Sequence, residues 1–215
     1  MASATWFDEV HAALAYRPSR WADIHAAPDE PLHAVEVCRA VQAFLSQDDK
    51  AIYISDGGEF GQWAQACLSS RRRLINGPSG TIGGAIPFAL AAREAFPDAR
   101  IVAMLGDGTF GFQPAEFDTA TRQQLPFIAV VGNDATWNAE YQLQLRTYGP
   151  DRLIGCELLP TRYHDVAQAF GGYGVHVSSA PELVQALEAA YASGQPACLN
   201  VSLAKNAAPI IRRDT

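Results

Sequence analysis

Cysteine is scarce in this chain and follows no motif. Cys38, Cys67, Cys156 and Cys198 are widely separated, with no Cys-x-x-Cys pair. That excludes a disulfide framework and leads us to expect four reduced thiols in a cytoplasmic protein. His11, His25, His33, His164 and His176 show no metal-ligand spacing and read as surface or structural residues. No apolar run reaches membrane length, and the N-terminus, Met-Ala-Ser-Ala-Thr-Trp-Phe-Asp-Glu, lacks the basic start of a signal peptide. An excess of positive charge is also missing. The formal net charge of −7 argues against nucleic acid or an anionic membrane as the main partner. Internal repeats and low-complexity tracts are absent. What remains is a single soluble domain: 215 residues suffice for one sizeable core, and 48% hydrophobic with 18% charged residues is ordinary for globular proteins.

Helix and strand patterns alternate along most of the chain. Residues 1 to about 35 carry a short helical pattern, Trp6, Phe7, Val10, Ala13 and Leu14, and then a Pro-rich irregular stretch. Beyond it the patterns predict helix 31–46, strand 51–55, helix 59–68, strand 73–75, helix 84–96 and strand 100–105. Helix 114–123, strand 127–132, helix 162–171, strand 173–177, helix 181–193 and strand 197–203 follow. Such alternation implies an α/β fold, a doubly wound, mainly parallel sheet with helices on both faces and ligands at the carboxyl ends of the strands. Three glycine-bearing turns fall at those ends.

The most informative is Gly106-Asp107-Gly108, followed after twenty-four residues by Asn133-Asp134. The strand Arg100–Leu105 hands over to a helix whose start is marked by Pro114 and Glu116. A Gly-Asp-Gly turn there gives close backbone approach and one hard carboxylate, which suits a diphosphate held through a magnesium ion. The next strand, Pro126–Gly132, brings the side-chain oxygen of Asn133 to the same edge. Magnesium takes oxygen ligands and shares them with phosphate. A second segment, Asn76-Gly-Pro-Ser-Gly-Thr-Ile-Gly-Gly84, opens a long apolar helix, and its glycines allow a flat ligand close to backbone, or simply a surface loop. The third, Ser55-Asp-Gly-Gly-Glu-Phe-Gly-Gln-Trp63, follows the strand Ala51–Ile54.

This constellation resembles the signature of thiamine diphosphate (ThDP) enzymes. The resemblance implies a C-terminal, diphosphate-binding domain of the acetolactate synthase-like branch, closest to 2-hydroxyacyl-CoA lyases and oxalyl-CoA decarboxylases. It implies ThDP and Mg²⁺ as cofactors, with metal ligands at Asp107, Asn133 and the backbone carbonyl of Ala135. Two departures stand out: the family often has a pair of Asn residues where the first is here Gly132, and a Gly where this chain has Ala135. Gly106, Gly108 and Thr109 fall where relatives contact the diphosphate, as does Gly58 in the first turn. Gly80, Thr81 and Ile82 match the pyrimidine-binding turn, where the Gly80 carbonyl accepts from the cofactor's amine and Ile82 wedges between its two rings. Glu59 would contribute its backbone or point toward substrate, or serve only as a first-turn acid favourable to the helix dipole. Segment 137–160 would lie over the thiazolium, with Trp137 and Glu140 as candidate substrate contacts, or as packing and a helix-surface charge.

The resemblance covers residues 30 to 205, matching only the C-terminal third of those enzymes. Their activating Glu comes from a separate pyrimidine-binding domain with no counterpart in this chain. The expectation is a small subunit of a two-component lyase or decarboxylase, also capable of carboligation. A large subunit with pyrimidine-binding and middle domains would partner it in a dimer of heterodimers. An acyl-CoA or a 2-oxo acid would be the substrate. Residues 1–30 would then be a linker-like segment docking on the partner or on its own domain through Trp6, Phe7 and Trp21. Residues 31–205 would form the binding domain and 206–215 a tail, whose Arg212 and Arg213 either meet a CoA phosphate or are an unstructured basic end. Alternatives are a subunit of a sulfopyruvate decarboxylase- or acetolactate synthase-like enzyme, and a non-catalytic module of the same fold.

Overall fold

The computed structural model describes residues 4–77 and 79–212. An N-terminal helix α1 (Ala4–Ala15) and a 3-10 turn (Ser19–Asp23) precede α2 (Ala34–Leu45). The alternating part then runs β1 (Ile52–Ser55), α3 (Gly58–Cys67), β2 (Arg72–Ile75), α4 (Ala85–Ala95) and β3 (Ile101–Gly106). After it come α5 (Asp107–Phe110), α6 (Glu116–Arg122), β4 (Ile128–Asn133), α7 (Asn138–Tyr148), α8 (Tyr163–Ala169), β5 (Tyr173–Val177), α9 (Ala180–Ser193) and β6 (Ala197–Ser202). The six strands form one sheet in the order β2-β1-β3-β4-β6-β5, and every pairing is parallel.

Side-chain alternation along the central strands fills both faces of this sheet. In β3, Val102 and Met104 join the core under α2, α3 and α9, whereas Ile101, Ala103 and Leu105 join the core under α4, α6 and α8. Tyr53 faces the first core, and Ile52 and Ile54 face the second. Helices on both faces leave the carboxyl edge of the sheet as the open side. The chain moves from β1 outward to β2 and then crosses back to β3, so the turns after β1 and β3 diverge. That reversal is the crevice where doubly wound sheets bind ligands.

Three boundaries differ from expectation for local reasons. Helix α2 starts at Ala34, because the His33 ring nitrogen accepts from the Val35 N–H (3.1 Å) and the Glu36 carboxylate from the His33 N–H (3.0 Å). That reciprocal cap frees Leu32 to bridge Leu203. Asp107–Phe110 forms a helical turn of its own, so Pro114 lies in a turn and α6 begins at Glu116. Helix α7 carries no apolar stripe, Gln142 being its one buried residue among those described, and so it escaped the helical period.

The aromatic residues of the first segment divide. Trp21 is buried against Trp63, with ring centroids 5.0 Å apart, and so docks on its own domain. Trp6 and Phe7 are half exposed and pack edge to face. Residues Asn206 and Ala207 also lie on the domain: the Trp63 indole donates to the Ala207 carbonyl (2.8 Å) and Asn206 Oδ1 accepts from the Ala34 N–H (3.0 Å). Arg213 lies outside the described residues. All four cysteines are free thiols. Among the described residues, no helix is long and apolar enough to cross a membrane. Trp21→Ala is expected to lower stability by about 3 kcal/mol or more. Urea denaturation would show an earlier midpoint at unchanged slope, and a loss below about 1 kcal/mol would place Trp21 outside the core.

Candidate functional site

The turns leaving β1 and β3 enclose a cavity of about 130 Å³. Gly57 to Phe60 form one wall, Gly106 to Thr109 the floor, and Gly132, Asp134 and Thr136 to Glu140 the far side, with Ile82 above. Asp107, the first residue of α5, is 2% exposed. Its carboxylate accepts from the Gly108 N–H (2.8 Å) and the Thr136 N–H (3.3 Å). Burial raises its pKa to about 6, against the lowering pull of those N–H groups.

Asp134 faces the same cavity. Its Oδ1 is buried and has no hydrogen-bond partner. Burial first, and then the charge of Asp107, raise its pKa to about 7; Lys205 and Asn138 oppose the rise. Two desolvated carboxyls, one with an orphaned oxygen, are costly unless a proton or a cation completes them. Hard oxygen donors converging beside backbone N–H groups are the donor set a magnesium ion takes. The residues present therefore fit the metal that the sequence implies.

Close approaches fix the walls. A Cβ on Gly108 would lie 2.5 Å from the Trp137 ring, so this residue must be glycine for the indole to pack against the turn after β3. Phe112 meets Trp137 edge to face, with centroids 6.2 Å apart. Across the cavity a Cβ on Gly57 would lie 2.7 Å from Ile82. Asp56 holds that contact together. Fully buried, it accepts from the N–H groups of Gly57 (2.8 Å), Gly83 (3.0 Å) and Ala85 (3.0 Å).

Of the predicted residues, the cavity gathers Gly58, Glu59, Ile82, Gly106, Asp107, Gly108, Thr109, Trp137 and Glu140. Glu59 is buried, accepts from the Gln62 amide (3.0 Å), and is held above the usual carboxylate range by burial. Glu140 is exposed in the first turn of α7, at the mouth. Gly80 and Thr81 lie exposed outside the cavity, and Pro78 between them and Asn76 lies outside the described residues.

Asn133 and Ala135 are not brought to the cavity. Strand alternation turns Gly132 toward it and Asn133 away. The Asn133 amide donates to the Thr161 carbonyl (2.9 Å) and to Asn200 Oδ1 (3.1 Å), and its own Oδ1 accepts from the Ala135 N–H (3.2 Å). The Ala135 carbonyl accepts from Leu158 (2.8 Å). Ala135 has φ +52°, a left-handed conformation that explains why glycine suits this position. Sequence reasoning missed Asp134, Thr136, Phe112 and Asp56. Asp134 had a signal, since a carboxylate is as good a hard ligand as the amide beside it.

A doubly wound domain with acidic groups at its switch point is the class this geometry defines. The family model described as "Thiamine pyrophosphate enzyme, C-terminal TPP binding domain" matches residues 56–201. The chain belongs to the thiamine diphosphate-dependent enzymes, as their C-terminal cofactor-binding domain. It is 39% identical over 175 residues to the acetolactate synthase large subunit IlvG of Mycobacterium tuberculosis, covering 80% of this chain and 31% of that protein. It is 35% identical over 182 residues to 2-hydroxyacyl-CoA lyase 2 of Mus musculus, covering 83% of this chain and 28% of that protein. With the human 2-hydroxyacyl-CoA lyase 2 the identity is 32% over 209 residues, covering 93% of this chain and 32% of that protein. The chain thus spans about a third of the length of these relatives. Its fold matches a Rhodococcus jostii thiamine diphosphate-dependent 4-hydroxybenzoylformate decarboxylase with a TM-score of 0.74 at 20% identity, covering 84% of this chain and 34% of that one.

The acidic pair sets a pH dependence. Both carboxyls bind protons more tightly in the fold than at their ordinary value of 3.8. Their contribution to stability is full below that value and is lost as pH rises through about 6 and about 7. In chelator-containing buffer, unfolding free energy should fall between about pH 4 and 7, and Asp134→Asn should flatten the upper part. A profile equally flat in both proteins, followed by chemical denaturation, would contradict this reading of the pair.

Proposed function

We propose that this chain is the diphosphate- and magnesium-binding part of a ThDP-dependent carbon–carbon lyase or decarboxylase, with its site completed by a second polypeptide segment. The orphaned carboxylate oxygen of Asp134 beside Asp107 carries the metal reading. Asp107 and Asp134 would hold the ion, so the position that faces the site is the residue after Asn133. Gly108 and Thr109 would lie against the diphosphate, and Ile82 and Trp137 would wall the cofactor rings. When bound, ThDP supplies an electron sink for cleaving or forming a bond next to a carbonyl. Glu59, buried and with its proton affinity raised, can hold a proton at the cavity wall, and Trp137 would close the wall beside Gly108.

The size of the cavity supports the need for a partner. Small-molecule sites occupy roughly 300–1,000 Å³, whereas this one measures about 130 Å³. The remaining walls, with the activating Glu, would come from a large subunit carrying pyrimidine-binding and middle domains, in a dimer of heterodimers. Similarity to the 2-hydroxyacyl-CoA lyases favours a 2-hydroxyacyl-CoA substrate, cleaved to a carbonyl compound and formyl-CoA. The 39% identity to an acetolactate synthase favours a second reading, in which a 2-oxo acid is decarboxylated or joined to another carbonyl.

Calorimetric titration of ThDP and Mg²⁺, into the chain alone and with a candidate large subunit, tests the assignment. Tight binding is expected only with the partner. Asp107→Ala and Asp134→Ala should each weaken it by on the order of 100-fold, and Asn133→Ala by much less. Equal losses at Asn133 and Asp134 would refute the ligand assignment, and no binding in either setting would refute the cofactor role. Turnover of a 2-hydroxyacyl-CoA against a 2-oxo acid by the loaded complex separates the two substrate readings.

A further inference from the structure

Two cysteines that lie 29 positions apart in sequence meet on the sheet face opposite α4. Cys38 is fully buried in α2, and Cys67 is the last residue of α3, partly open to solvent. Cys67 packs against the core cluster that holds Cys38, on the neighbouring helix. Both line a cleft of about 570 Å³ whose walls include Arg17, Pro18, Trp21 and Arg39. The arginines are fixed there: Arg17 donates to the Leu14 and Tyr16 carbonyls (2.8 and 2.7 Å), and Arg39 to those of Trp21, Ala22 and Ile24 (3.0, 3.2 and 3.3 Å). The other two thiols have no such setting. Cys156 points at the Ile154 carbonyl (3.4 Å), and Cys198 is sealed in the core, where burial pushes its thiol far up.

We propose that Cys67 and Cys38 form a peroxide-reactive dithiol, a modification site at which oxidation joins α2 to α3 through a disulfide. The two sulfurs have unequal roles. Cys67 is reached from the cleft, and the hydrogen bond from Cys38 holds its thiol below the usual range, helped by Arg17 and Arg39 and opposed by burial. Its thiolate is therefore the attacking group. Cys38 has its thiol pushed up by the same hydrogen bond and by burial, and sits as the resolving partner.

The chemistry closes with one hydrogen peroxide. The Cys67 thiolate attacks one peroxide oxygen: an S–O bond forms, the O–O bond breaks, and the departing hydroxide takes a proton to become water. Cys38 sulfur then attacks the Cys67 sulfenic sulfur. The S–S bond forms, the S–O bond breaks, and hydroxide leaves with the Cys38 proton as a second water. Two thiols lose two electrons, and one peroxide becomes two waters. Both side chains line one cleft between packed helices, and the bond forms by closure to the disulfide length of about 2.05 Å.

Treatment of the full chain with hydrogen peroxide tests this. Thiol titration after denaturation should fall from four groups to two, a reducing agent should restore four, and peptide mass spectrometry should find Cys38 linked to Cys67. Cys67 should react at least about tenfold faster than Cys156 or Cys198. Cys38→Ser should stop at a Cys67 sulfenic acid that dimedone traps, and Cys67→Ser should lose the fast phase. Unlinked peptides with Cys67 oxidised no faster than Cys156, or a disulfide between two chains in place of the internal one, would overturn the proposal. The linked peptide is read in the unmutated chain, so misfolding of a variant does not blur the result.

Discussion

The buried carboxylate of Asp56 is the interaction on which the site depends. It accepts from three backbone N–H groups, those of Gly57, Gly83 and Ala85, while its own N–H donates to the Met104 carbonyl of β3 (2.9 Å). One residue thus ties the first strand-to-helix turn, the loop before α4 and the third strand. A charge with no exposed surface is tolerated in a protein only when fully hydrogen-bonded, and here the bonds are all to backbone. The contact between Gly57 and Ile82, and with it one wall of the cavity, follows from that clamp.

Asp107 and Asp134 are the opposite case. Asp107 has two N–H partners, and Asp134 has an oxygen with none. Placing both in a desolvated cavity raises their proton affinity and works against the fold at neutral pH, a pattern that clusters at functional sites. A divalent cation held by the two carboxylates would reverse the balance, since it would favour the ionised form of both.

The two faces of the sheet have separate roles. The core under α4, α6 and α8 is apolar and includes Ala85 and Ile86 at the start of α4. The core under α2, α3 and α9 includes Trp21 from the N-terminal segment and the Cys38–Cys67 contact. Helix α3 links the two regions of interest, beginning at the candidate site's cavity and ending at Cys67.

Hydrophobic alternation, glycine placement and the Gly-Asp-Gly spacing determined the α/β class, the parallel sheet and the edge that carries the site. These are local signals, set by backbone geometry and side-chain period, and they placed β5 at 173–177 and Asp107 at the end of β3 without tertiary information. Which of two adjacent residues faces the cavity was not local. Asn133 and Asp134 carry equally suitable oxygens, and the pleat of β4 together with the Asn200 and Thr161 contacts turned Asn133 away. Helix α7 was likewise invisible, because it rests on the domain through Asn138 and Gln142 hydrogen bonds to Asn206 and Lys205 instead of through an apolar face. The meeting of Cys38 and Cys67 needed the packing of α2 on α3. Sequence fixes what each segment can form and offer; packing alone decides which offered groups converge, because convergence depends on neighbours distant in the chain.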